Sequence, residues 1–101
     1  MRKITENSIN AFFCDKDFSS GNMAVLADEQ ETRLLLHGNC IATKDIRTGK
    51  IILSDCGWQT TTTKERLNGI LDFLNIRGIY QKDFTWYWKD GKTWKSDIVI
   101  N

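Results

Sequence analysis

The 101-residue chain contains no proline, one histidine and three cysteines. Without proline, and without a low-complexity stretch, nothing marks a linker between domains, and the chain reads as one domain over residues 1–101. Cys14, Cys40 and Cys56 are odd in number and widely spaced, with no C-x-x-C pair. His37 is the only imidazole that could join them, and a structural zinc site takes about four ligands at close paired spacings. The sequence therefore implies buried or idle thiols, no metal site and no cofactor. No apolar run approaches the roughly 20 residues that cross a bilayer, and "MRKITENSINAFF" lacks the apolar stretch of a secretory signal. The expectation is an intracellular protein with no membrane partner. Charge of one sign is lacking too. Residues 1–57 carry seven Lys/Arg against eight Asp/Glu, and residues 58–101 carry seven against five. That balance shows neither the strong basic patch of a duplex-binding domain nor an acidity that would imitate DNA.

What is present is a series of short elements. "TENSINAFFCD" offers Thr5 as an N-cap, with Ile9, Phe12 and Phe13 at i, i+3, i+4 of a short first helix. "FSSGN" breaks it. "MAVLAD", "TRLLLHG", "NCIATKDI" and "KIILSDC" read as strands joined by short polar or glycine-containing turns, which favours antiparallel pairing. The run Thr60-Thr61-Thr62-Thr63 then precedes an apolar stripe of Leu67, Ile70, Leu71 and Leu74. Threonine suits a helix cap better than a helix interior, and Thr62 and Glu65 have the spacing of a capping box. This predicts the main helix over about residues 63–75, with Thr62 as its cap. "IYQKD" and "FTWYWK" follow, then a turn at Asp90-Gly91, a short "KTW", and "SDIVI" as a last edge strand. The fold class is α+β: a short N-terminal helix and a curved antiparallel sheet of about six strands, with the main helix packed on one face.

No catalytic constellation is visible. G-x-G-x-x-G, P-loop, H-E-x-x-H and G-x-S-x-G motifs are all missing, and "HGNC" places His37 and Cys40 at a turn rather than in a nucleophile–base pair. The expectation is a non-enzymatic protein with no catalytic residues. The aromatic C-terminal segment is more suggestive. Phe84, Trp86 and Trp88 alternate with Thr85, Tyr87 and Lys89, so the first three are expected on one inward face and Tyr87 and Lys89 on the other. Three readings of this segment stay open: core packing, a protein interface, or a stacking platform for single-stranded nucleic acid. The residues singled out for partner binding are Tyr80, Lys82, Tyr87, Lys89, Lys92 and Trp94.

"LHGNCIA" (36–42), "LSDCGWQTTTTKERLNGIL" (53–71) and "IYQKDFTWYWKDGKTW" (79–94) resemble a family of small proteins widespread in tailed bacteriophages, a domain of unknown function. Its pattern runs L-H-G-N-x-I-A, then G-W-x-T-x-T-T-K-E-R-L-N, then I-x-Q-K and W-Y-L-x-x-G-x-x-W. Trp88 stands here where a leucine is usual. The resemblance implies a phage accessory protein of the host bacterial cytoplasm and supplies no catalytic residue. It sets the functional expectation: binding of a host protein or protein–nucleic-acid complex, such as an anti-CRISPR or other inhibitor of a host defence system. The alternative is a nucleic-acid-binding module using the aromatic, lysine-rich hairpin.

Overall fold

The computed structural model describes residues 2–100. Its elements are α1 (Lys3–Phe13), β1 (Phe18–Ser20), β2 (Met23–Ala27), β3 (Glu31–Leu36), β4 (Asn39–Asp45), β5 (Ile51–Leu53), α2 (Thr61–Phe73), β6 (Ile79–Lys82), β7 (Thr85–Trp88) and β8 (Ile98–Val99). Six strands form an antiparallel sheet in the order β1-β2-β3-β4-β5-β8, and β6 and β7 form a separate two-stranded sheet. The α+β class and the six-strand count agree with the sequence, but the membership differs. Gly21 adopts a positive φ of 56° in a two-residue turn, so Phe18–Ser20 folds back on β2 and joins the sheet. "SDIVI" closes the other edge through β8.

Side-chain alternation decides which face is buried. Phe18, Val25, Leu34, Ala42, Leu53 and Ile98 are cross-strand partners in one continuous row facing the helices. A register shift opposite Leu34 and Leu35 leaves Ile41 as an extra residue, so Ile41 and Ala42 are both buried although adjacent in sequence. The opposite face carries the row Leu26, Arg33, Thr43, Ile52 and Val99, of which Leu26, Ile52 and Val99 are exposed.

The two helices cover the inner face. Leu67, Ile70 and Leu71 of α2 are completely buried, and burial of such side chains contributes about 1.5–3 kcal/mol each. Leu74, the fourth residue of the stripe, lies at the helix C-cap and is only partly buried. Gly69 lets α1 approach α2, since a Cβ there would collide with Ile9 Cδ1 and Thr5 Cγ2. Thr5 is not the N-cap of α1. The helix begins at Lys3, and Thr5 is buried inside it, where its hydroxyl donates to Glu65 Oε1 (2.7 Å) and accepts from Arg66 Nη1 (2.8 Å). Arg66 is 2% exposed and ion-paired with Glu65, so one polar clip joins the two helices.

That clip also explains where α2 begins. Glu65 is drawn to Thr5 and Arg66 and does not reach back as a capping-box acid. The cap is Thr60, in extended conformation (φ −95°, ψ 162°), whose Oγ1 accepts the Thr63 N–H at 3.0 Å. The helix therefore starts at Thr61 and ends at Phe73, two residues earlier than expected at each end. Thr60→Ala is expected to destabilise the fold by about 1 kcal/mol, and Thr62→Ala by less than half of that. Urea unfolding of the two variants checks the register, which is wrong if Thr62→Ala has the larger effect.

Candidate functional site

Two surfaces stand out. The first is the β6–β7 hairpin. Its base is pinned to α2 by Asn68, whose Oδ1 accepts the Ile79 N–H (2.7 Å) while its Nδ2 donates to the Ile79 carbonyl (3.0 Å). The register pairs Ile79 with Trp88, Tyr80 with Tyr87, Gln81 with Trp86, and Lys82 with Thr85. Ile79, Trp86 and Trp88 face the core, and Trp94 packs beside them, with its ring 5.8 Å from Trp86 and 5.4 Å from Trp88. The Arg77 guanidinium lies 4.7 Å over the Trp88 ring and pairs with Asp90 at 3.0 Å. On the other face the Tyr80 and Tyr87 rings stack at 5.7 Å. Lys82, Lys89 and Lys92 are exposed. The strands are joined by only Asp83 and Phe84, both at positive φ (52° and 63°), the pattern of a type I′ turn. Phe84 is 93% exposed.

The second surface is a cleft of about 380 Å³ between the β3–β4 turn and the segment leading into α2. Leu36, His37, Asn39 and Ile41 form one wall, and Asp55, Cys56, Trp58 and the threonines at the start of α2 form the other. His37 and Gly38 make a tight turn with positive φ at both residues, and Cys56 and Gly57 repeat that pattern on the facing wall. Asp55 holds the second wall in place. Its Oδ1 accepts the Gly57 N–H (2.8 Å), and its Oδ2 accepts from Gln59 Nε2 (3.1 Å) and from the buried indole N–H of Trp94 (3.0 Å). Its own backbone N–H donates to Ser96 Oγ at 2.9 Å. Cys56 Sγ donates to the Cys40 carbonyl, while the Cys40 thiol turns to Ala42 and Thr43 and makes no hydrogen bond to His37. Among the described residues, no group of three His, Cys, Asp or Glu side chains is placed to hold a metal ion.

The segments that meet across this cleft belong to two of the three that carry the phage-family resemblance, and the third, residues 79–94, forms the hairpin. The family model of the Kyanoviridae Gp96 protein matches residues 1–100. The chain belongs to the Kyanoviridae Gp96 family, a family of bacteriophage proteins. No curated protein and no solved structure matches it. Among the described residues of this Gp96 family member, no helix is long and apolar enough to cross a membrane.

Of the six residues singled out for partner binding, Tyr80, Lys82, Lys89 and Lys92 are exposed and Tyr87 is half-buried. Trp94 is 5% exposed and belongs to the core, because its indole N–H reaches Asp55 and its ring fills the space beside Trp86 and Trp88. Phe84 does not share the inward face with the tryptophans, since the two-residue turn takes it out of the strand and into solvent. Sequence reasoning missed Phe84 as a surface residue. The available signal was the position of "DF" midway between two alternating runs.

Burial pushes the Asp55 carboxyl up, but its bonds from Gln59, Gly57 and Trp94 outweigh this and hold it below the usual carboxylate range. A depressed carboxyl stabilises the fold at pH values above its unfolded pKa, about 3.9, and that contribution is lost as pH falls through the folded value. Asp15 is lowered in the same sense by its bonds from Thr32 and Lys44. Asp55→Asn is expected to be less stable than the parent protein at neutral pH. The gap should narrow as the pH is lowered below about 4. Thermal melts across that range check this, and a gap that stays constant would contradict the role given to the Asp55 anion.

Proposed function

We propose that the protein acts without catalysis, in the host bacterial cytoplasm, by binding a host protein or protein–nucleic-acid complex through the tip and outer face of the β6–β7 hairpin. The observation that carries this reading is Phe84. A large apolar side chain, 93% exposed, sits at a turn position with a φ of 63°. That position favours glycine, and a bulky residue there costs of order 1–3 kcal/mol. Neither its contacts nor its backbone explains the residue by stability, whereas an aromatic anchor for a partner's apolar pocket would. Behind the tip, the stacked Tyr80 and Tyr87 with Lys82, Lys89 and Lys92 suit an acidic rim around such a pocket. The phage setting makes a host defence complex, CRISPR among them, the first class of target to test. Single-stranded nucleic acid is the second reading. It is supported by the lysines and weakened by the burial of Trp86, Trp88 and Trp94, which removes three rings from any stacking platform.

Phe84→Gly separates anchor from scaffold. It is expected to stabilise the fold by roughly 1 kcal/mol, by relieving the turn, while losing the partner. The measurement is a melting curve for each variant beside affinity capture from nuclease-treated host lysate, using parent, Phe84→Gly and Tyr87→Ala/Lys89→Ala proteins as bait. Host proteins retained by the parent and lost by both variants support the reading. Capture of the same set by Phe84→Gly overturns it, and capture that vanishes on nuclease treatment favours nucleic acid.

A further inference from the structure

Trp58 is the one tryptophan that the fold leaves in solvent. It is 61% exposed, whereas Trp86, Trp88 and Trp94 are each 5% exposed or less. It is also not on a loose loop. The bonds that Asp55 accepts from Gly57 and Gln59 bracket it in sequence, and its own backbone N–H donates to the Asp55 carbonyl at 2.8 Å. The ring is therefore presented by a braced loop at the edge of the 380 Å³ cleft, a volume near the lower end of the roughly 300–1,000 Å³ typical of small-molecule sites. The cleft floor is apolar, with Leu36 and Ile41 both buried. Its rim carries three polar side chains without a protein partner among the described residues: the His37 imidazole, the Asn39 amide and the Thr62 hydroxyl.

We propose that this cleft binds a nucleobase, stacked on Trp58 and hydrogen-bonded along its edge by Asn39, His37 and Thr62. Three features narrow the ligand to that class. A flat, exposed indole beside an apolar floor suits a planar ring, because stacking rewards any π-face. Unpaired amide, imidazole and hydroxyl groups around the rim suit a ring with donors and acceptors on its periphery, and a purely hydrocarbon ring would leave them desolvated and unpaired. The lining holds no lysine or arginine, and its one carboxylate, Asp55, already accepts three hydrogen bonds. The cleft therefore has no cationic side chain to select a phosphate, and recognition falls to the uncharged ring. The base could belong to a free nucleotide or to an unpaired position of a strand. This site is separate from the hairpin and does not depend on how the hairpin is used.

The test is a fluorescence titration of the full chain with AMP, GMP, CMP, UMP and a short single-stranded DNA oligonucleotide, followed by equilibrium dialysis of the variants. At least one probe is expected to quench the exposed, red-edge tryptophan emission saturably, at millimolar concentration or below. Saturation by a mononucleotide assigns the site to a free ligand, and saturation by the oligonucleotide alone assigns it to a base within a strand. Trp58→Ala should weaken dialysis-measured binding by about tenfold or more at an unchanged melting temperature, and Asn39→Ala should alter the preference among the four bases. Mononucleotide binding should persist at high salt. No saturable quenching by any probe, parental affinity in Trp58→Ala, or mononucleotide binding that collapses with salt would each overturn the proposal.

Discussion

The carboxylate of Asp55 is the constraint on which the functional end of this molecule depends. It accepts bonds from Gly57, Gln59 and Trp94, and the residue's backbone N–H is taken by Ser96. In one step it closes the loop before α2 and ties that loop to the C-terminal segment. Trp94, held at its indole N–H, packs against Trp86 and Trp88 and so seats the inner face of the hairpin. The cleft wall that presents Trp58 and the hairpin that presents Phe84 thus share one buried anchor. Loss of its charge would weaken all three bonds, and the buried Trp94 indole N–H, if left short of an acceptor, would cost on the order of 1–3 kcal/mol.

Away from that anchor the scaffold is held by packing and by the Thr5–Glu65–Arg66 clip. Arg66 is buried, yet its guanidinium reaches across from α2 to Thr5 on α1 and, at 3.4 Å, to Asn22 in the β1–β2 turn. Buried ion pairs contribute little net stability against an apolar alternative, because desolvation offsets the attraction. What this one adds is register: Gly69 allows the helices to touch, and Arg66 allows only one way for them to do so. The backbone strain lies elsewhere. Among the described residues, seven take positive φ without being glycine; His37, Cys56, Asp83 and Phe84 lie on the cleft and the hairpin, and Asp15, Asn75 and Asp97 lie outside both.

Much of this was legible in the sequence because it is local. The alternating apolar positions of β2 to β5, the stripe of α2, the hairpin turn signals and the final edge strand all follow from periodicity. The misassignments came where a choice is settled by something distant. Four consecutive threonines make the cap register degenerate, and it is the pull of Thr5 and Arg66 on Glu65 that removes the capping box at Thr62. "FSS" is too short to show a period and becomes a strand only because the Gly21 turn folds it onto β2. The hairpin was only partly legible: the sequence signals a turn at Asp90-Gly91, which closes a single bridge between Tyr87 and Thr93, whereas β6 and β7 are joined at Asp83-Phe84, and their pairing as a separate sheet docked on α2 through Asn68 is a tertiary fact. Trp94 looked like a surface anchor because three residues, "KTW", say nothing about which way the ring turns. Its partner, Asp55, lies 39 residues away in the chain.

The claim that one buried anion organises both surfaces is tested most directly at the Trp94 indole proton. In an NMR hydrogen-exchange experiment on the intact chain, the four indole N–H signals report four environments. The account predicts that the Trp94 N–H, bonded to Asp55, is protected to the level of global unfolding, while that of Trp58 exchanges at the rate of a solvent-exposed indole. A Trp94 N–H that exchanges as fast as that of Trp58 would contradict it, because the hairpin and the cleft would then share no common anchor.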